Sequence, residues 1–183
     1  FCRTRDREFV LEELKACANM TWFYGTKGRP LDATPLFTDS VLLGSLVKSD
    51  AEVGEHQLWS TQNLLLGYEN AKNLKPDDIG PAYTAYGFIV SLRAAFDQPI
   101  FADAERQALY RLVVANCGVG NLSKAQTLFR QFVKLYADEN DRQISRYEAA
   151  GAAKLLTLMA QKNFSDSERG AADEVYALVQ SLR

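Results

Sequence analysis

Wherever this chain gathers apolar residues they recur at three- and four-residue spacing, and nowhere do they alternate for long with polar ones. The first spacing is that of a helix with one buried face, and alternation is that of a strand. No Asn-Gly pair marks a hairpin turn. A sheet is therefore not expected. The reading is an all-α array of about eight antiparallel helices packed as hairpins, right-handed if it forms a solenoid.

Helix starts and stops can be placed from capping and breaking residues. The first helix passes through Phe9, Leu11, Leu14 and Cys17 and is broken by Gly25-Thr26-Lys27-Gly28-Arg29-Pro30. Thr34-Pro35 offers a cap and a first-turn proline for a second, through Val41, Leu42, Leu43, Leu46 and Val47. Ser49 and Glu52 have capping-box spacing for a third, which runs to about Ala71. Pro76-Asp77-Asp78 opens a fourth that ends near Phe96, with Pro99 just beyond. A phrase containing Asp103 starts the fifth, which passes Leu109, Leu112 and Val113 before Gly118 and Gly120 end it. Asn121 caps a sixth through Leu122, Ala125, Leu128, Phe129 and Phe132. After a polar turn at 138–141 a seventh follows through Tyr147, Leu155, Leu156 and Met159. Ser165 and Glu168 open an eighth through Val175, Leu178 and Val179.

The phrase that starts the fifth helix returns. Phe101-Ala102-Asp103-Ala104-Glu105-Arg106 reappears 63 residues later as Phe164-Ser165-Asp166-Ser167-Glu168-Arg169, and Phe37-Thr38-Asp39-Ser40 stands 64 residues before it. A shift of 64 also lays Leu65 on Phe129, Tyr68 on Phe132, Tyr83 on Tyr147, Ala85 on Ala149 and Gly87 on Gly151. Self-similarity at a long period marks stacked helical units, each unable to bury its apolar face alone. The expectation is a single domain over residues 1–183, divided into units at 1–47, 48–111 and 112–183. Gly87 and Gly151 each weaken a helix by about 1 kcal/mol relative to Ala. A close helix–helix approach at both is the expected reason.

Composition narrows the function classes. With 47% hydrophobic and 24% charged residues the chain has the balance of a folded globular protein. Its 21 basic and 23 acidic residues leave a net charge of −2, which lacks the basic footprint of a nucleic-acid binder without excluding a local stripe. Cys2, Cys17 and Cys117 form no CxxC pair, so neither a disulfide framework nor a zinc site is indicated, and buried thiols of an intracellular protein are expected. No apolar run approaches the length of a membrane span. The chain opens on Phe1 rather than Met, as an organellar, for example mitochondrial, protein would after loss of a transit peptide.

No set of residues spells out a reaction, so no catalytic, cofactor or metal residue and no small-molecule substrate is assigned. His56, the single histidine, shares a helix face with Glu52 at i and i+4 and reads as half of a surface pair. Gly118-Val119-Gly120 lacks the Lys and Ser/Thr of a phosphate loop and reads as a helix stop. Asp77-Asp78 and the acidic residues of 138–141 suit helix starts and lack calcium-loop spacing. Gly25 to Arg29 has two glycines and two basic side chains, which suit an exposed loop or an anion cradle. Trp22, Phe23 and Tyr24 are consecutive, so they cannot share one helix face. With Lys27 and Arg29 they form the expected interaction cluster, because aromatic residues and Arg favour interface cores. The competing reading is that Trp22 and Phe23 close the first hairpin.

Gly120-Asn121-Leu122 followed by Ala125 and Phe129 resembles the second half of a tetratricopeptide hairpin, although Val113 and Asn116 depart from that pattern. Leu74-Lys75-Pro76-Asp77-Asp78-Ile79, then Tyr83, Ala85 and Leu92, is similar to the degenerate repeats of octotricopeptide, heptatricopeptide and FAST-kinase-like organellar proteins. These resemblances imply an α-solenoid. They imply either a scaffold that meets other protein subunits or an RNA-binding member of an organellar ribonucleoprotein. The leading expectation is a non-catalytic scaffold or adaptor within a larger assembly. The RNA-binding alternative draws on Arg3, Arg5, Lys27, Arg29, Arg130 and Lys134.

Overall fold

A computed structural model describes residues 6–47, 50–136 and 142–161, with residues 173 and 177. Among the described residues the protein is all-helical: α1 (Arg7–Thr26), α2 (Pro30–Gly44), α3 (Ala51–Asn70), a 3₁₀ turn (Pro76–Ile79), α4 (Gly80–Ala95), α5 (Pro99–Gly118), α6 (Leu122–Tyr136) and α7 (Arg142–Gln161). The polar turn at 138–141, the expected eighth helix and the second copy of the repeated phrase lie outside the described residues.

Several helices start where other residues than expected satisfy the first turn. Pro30, not Pro35, opens α2, and Pro35 lies inside it. Proline suits the first helical position because its missing N–H has no partner there in any case. Thr34 is no cap; its hydroxyl donates to the Pro30 carbonyl at 3.0 Å. Asp50 caps α3, its carboxylate accepting the Val53 N–H at 3.1 Å, a role the sequence offered to Ser49. Helix α5 begins at Pro99, so Asp103 stands inside it and pairs with Arg106 at 3.0 Å instead of capping. Asn121 does cap α6, with the Lys124 N–H at 3.4 Å from its side-chain oxygen. Just before it Gly120 takes φ 73°, a left-handed turn that a side chain would strain.

Each helix packs on its neighbours in sequence, and α1 packs on α3, α3 on α5 and α5 on α7. Helix α2 lies against α1 and α3, α4 against α3 and α5, and α6 against α5 and α7. The register between α1 and α3 is a separation of 45 residues: Asn63 donates to the Ala18 carbonyl at 3.0 Å and Asn70 to the Gly25 carbonyl at 3.2 Å. The same separation of 45 joins α3 to α5, where Gln62 donates to Gln107 at 3.1 Å. Packing thus follows a spacing different from the 64 of the sequence phrase. Phe37 is buried well inside α2, whereas Phe101 is buried in the first turn of α5, so these two copies are not equivalent in the fold.

The main core runs from α2 to α7 and holds Phe37, Leu65, Tyr68, Ile89, Phe101, Leu112, Phe129, Phe132 and Leu155. Leu65 and Phe129, and Tyr68 and Phe132, are all buried, while Ala85 is buried and its counterpart Ala149 is exposed. A smaller cluster of Val10, Leu11, Leu14 and Val53 joins α1 to α3. Phe9, expected on the inner face of α1, is exposed, and Val10 takes that place.

The glycine expectation holds for one position only. A side chain on Gly151 would meet the Phe129 ring at 3.3 Å, but around Gly87 nothing lies within 4 Å. The closest approach to a neighbouring helix's backbone is elsewhere: a Cβ on Gly25 would stand 2.3 Å from the Asn63 carbonyl oxygen.

Candidate interaction surface

The residues of the expected cluster are distributed over three environments. Successive helical residues turn by about 100°, so the inward turn of Gly25 and Thr21 toward α3 sends the three aromatics in different directions. Trp22 is 56% and Phe23 51% exposed, so neither closes the first hairpin. Tyr24 turns inward and packs on the main core. Its ring lies 5.5 Å from that of Phe23 and carries the Arg29 guanidinium 5.3 Å above it. Arg29 is also held by Asp32 at 2.8 Å. With Lys27 it lines a cleft of about 480 Å³ between the α1–α2 link and the segment after α3, where Lys72 adds a third positive charge and Asp32 and Asp78 add two negative ones.

An anion cradle at this loop is not what the backbone builds. The amides of Lys27 and Arg29 donate to the Tyr24 carbonyl at 3.2 and 3.0 Å, and that of Gly28 donates to the Gly25 carbonyl at 3.0 Å. Gly28, at φ 64°, turns the chain so that these N–H groups close the C-terminal end of α1. That end carries the negative pole of the helix dipole, which opposes an anion.

A second exposed apolar surface lies along α1 and the end of α2. Phe9, Glu13, Ala16, Met20 and Phe23 follow alternating four- and three-residue steps along α1 and so share a face. Leu42 at the end of α2 and Leu46 just after it stand nearby, and these five apolar side chains other than Ala16 are 49–58% exposed. Between the two helices runs a groove of about 470 Å³ floored by Ala16, Cys17 and Leu43, with Leu42 and Leu46 along one side. Glu13 and Asp39 also line it. The Cys17 thiol is pushed up from its ordinary value by burial, then by the nearby carboxylates of Asp39 and Glu13.

The sequence contained a signal for this groove that the expected cluster did not use. Val41, Leu42 and Leu43 are consecutive and, like the three aromatics, cannot all face inward.

Polar side chains on the α3–α5–α7 row are tied to one another. Gln62 donates to Gln107, which donates to the Tyr147 hydroxyl at 3.1 Å. Arg111 is buried, donates to Glu69 at 3.1 Å and to the Gln62 carbonyl at 2.7 Å, and receives support from Tyr110, whose hydroxyl donates to Glu69 at 3.4 Å. Tyr110 is pushed up to about 12, first by burial and then by Glu69. Arg93 pairs with the buried Glu105 between α4 and α5. Asn116, where a tetratricopeptide hairpin has an aromatic residue, is buried and accepts from Tyr83 of α4 at 2.9 Å while donating to the Leu112 carbonyl at 2.8 Å.

His56 is not half of a surface pair. It is 6% exposed and meets the Trp59 ring edge-on at 4.9 Å, and its Nδ1 is buried without a hydrogen-bond partner among the described residues. Cys17 and Cys117 are free and half-buried, and burial pushes the Cys117 thiol up to about 12. Among the described residues no group of three or more His, Cys, Asp or Glu is placed to hold a metal ion, and no helix is long and apolar enough to cross a membrane. Compared with known proteins, the chain matches no family model, no curated protein and no solved structure.

Proposed function

We propose that this chain is a non-catalytic helical-repeat scaffold or adaptor, a subunit of a larger assembly, that docks another protein at the α1–α2 end of its array. The observation that carries this reading is the groove between α1 and α2, lined by the exposed Leu42 and Leu46, with Phe9, Met20 and Phe23 exposed along one face of α1. Apolar side chains scattered singly are ordinary on any protein; contiguous ones beside a groove mark an interaction site. Covering them recovers about 25 cal/mol per Å² removed from water. The array itself is read as antiparallel hairpins stacked in a solenoid, in keeping with the likeness of the α5–α6 turn to tetratricopeptide hairpins. The recurring register of 45 residues between α1 and α3 and between α3 and α5 supports that reading.

Photo-crosslinking in cells tests it, with a photoreactive amino acid at position 42 and a control at Ser91, which is exposed on α4. The expected result is a discrete protein adduct from position 42, absent from position 91 and insensitive to ribonuclease. Adducts consisting of RNA would overturn the scaffold reading in favour of the RNA-binding alternative, and identical adduct patterns at both positions would overturn it outright.

A further inference from the structure

The groove between α1 and α2 has a shape and a charge that specify its occupant. Among the described residues its charged lining side chains are the carboxylates of Glu13 on α1 and Asp39 on α2. Its apolar side chains are the aliphatic Ala16, Leu42, Leu43 and Leu46, of which Leu42 and Leu46 are exposed.

The shape follows from the packing rule of the whole molecule. Where two neighbouring helices pack on one another, a third helix lies against both: α3 against α1 and α2, α5 against α3 and α4, α7 against α5 and α6. Among the described residues α3 covers one side of the α1–α2 pair, and the groove lies between the same two helices. A helix is the element that continues this pattern, presenting residues at i, i+3, i+4 and i+7 to a pre-formed trough.

We infer that the groove receives an amphipathic helix of a partner protein, whose apolar stripe covers Leu42, Leu46 and Met20 and whose flanking Lys or Arg side chains meet Asp39. This rests on the scaffold reading above and adds the partner's chemistry to it. Opposite charges at the rim of such a contact act on the association rate and on discrimination between partners more than on the buried energy. The apolar stripe supplies the affinity.

The test uses two synthetic peptides of about 18 residues, long enough to form a helix on binding. Both carry the same leucine stripe, one with Lys and the other with Glu at every polar position. Fluorescence anisotropy with the full chain gives affinity, and peptide-mapping mass spectrometry of iodoacetamide-treated protein gives the alkylation rate at Cys17, which lines the groove. The Lys peptide is expected to bind at least about tenfold more tightly than the Glu peptide, to weaken with added salt, and to slow Cys17 alkylation several-fold. Leu42→Asp combined with Leu46→Asp, both at exposed positions, removes binding and protection. Asp39→Lys narrows the preference between the peptides, whereas Trp22→Ala, outside the groove, leaves it unchanged. Equal affinity for the two peptides overturns the inference. So does binding that survives the double substitution or leaves Cys17 unprotected. If the peptides fail while position 42 still captures a protein, the occupant is wrong and the scaffold stands; if capture fails while the peptides bind as expected, the reverse holds.

Discussion

At His56 a single buried ring makes the protein sensitive to mild acid. Burial, then the charge of Lys15, holds its pKa below the ordinary 6.5, while Glu52, Glu55 and Glu12 pull weakly the other way. The unfolded chain therefore takes up this proton first as pH falls. The stability that depends on the neutral ring is complete above 6.5 and is lost as pH drops through the depressed folded value. Urea midpoints measured from about pH 7.5 to about pH 5 are expected to fall, and His56→Leu is expected to flatten that fall. A second loss belongs to Asp50, held below its ordinary 3.8 by the Val53 amide and then by Arg7, so it begins only in stronger acid and is removed by Asp50→Asn. Arg111 supplies a different test. Removing it alone, as Arg111→Met, leaves the Glu69 carboxylate with the Tyr110 hydroxyl but without its counter-charge and is expected to cost about 2–4 kcal/mol. The double variant with Glu69→Met should recover part of that loss, because no charge is then stranded. Chemical denaturation of the three variants reads the coupling directly.

Two helical glycines give opposite predictions from the same substitution. Gly87→Ala adds a methyl group where nothing lies within 4 Å, so the helix-propensity gain of about 0.5–1 kcal/mol appears as a rise in Tm of about 1–4 °C. Gly25→Ala drives a Cβ to 2.3 Å from the Asn63 carbonyl, a backbone atom that cannot rotate away, and is expected to lose about 1–3 kcal/mol despite the same propensity gain. Thermal melts followed by circular dichroism decide both. The contrast also shows what the sequence contained. Helix periodicity, the Gly120-Asn121 stop and cap, and the shared face of Leu122, Ala125, Leu128, Phe129 and Phe132 were legible because each depends on a few neighbours along one helix. The choice between Pro30 and Pro35, or between Ser49 and Asp50, was not, because either residue satisfies a first turn equally well until another helix fixes the entry point. Which glycine meets a backbone depends on how α1 sits against α3, and spacing within one helix carries no record of that. For the same reason the choice for Trp22 and Phe23 between surface and hairpin closure stayed open in the sequence, and the groove joining Ala16 to Leu42 was not readable.

Taken as one object, the described helices share a core that passes without a gap from α2 to α7, with α1 joined through Gly25, Asn63 and Asn70. Such a core is expected to unfold cooperatively. Tryptophan fluorescence, reporting Trp22 on α1 and Trp59 on α3, and far-ultraviolet circular dichroism, reporting all helices, should give coincident urea curves. Separated curves would show that α1 to α3 melt as a unit of their own.

The pattern of partners along the chain reaches beyond stability. Each helix finds its principal neighbours one or two places away in sequence. Among the described helices none has to wait for a distant one, so the entropy of closing long loops is small and folding is expected in the millisecond-or-faster regime of locally connected proteins. During synthesis α1 and α2 can meet as soon as both have left the ribosome, and α3 then settles on a surface already formed. An interruption of synthesis after α5 would leave a shorter stack whose last helix lacks its cover, rather than a tangle. Growth from one end, helix by helix, is a history that this arrangement permits and that a sheet paired between its two termini would forbid.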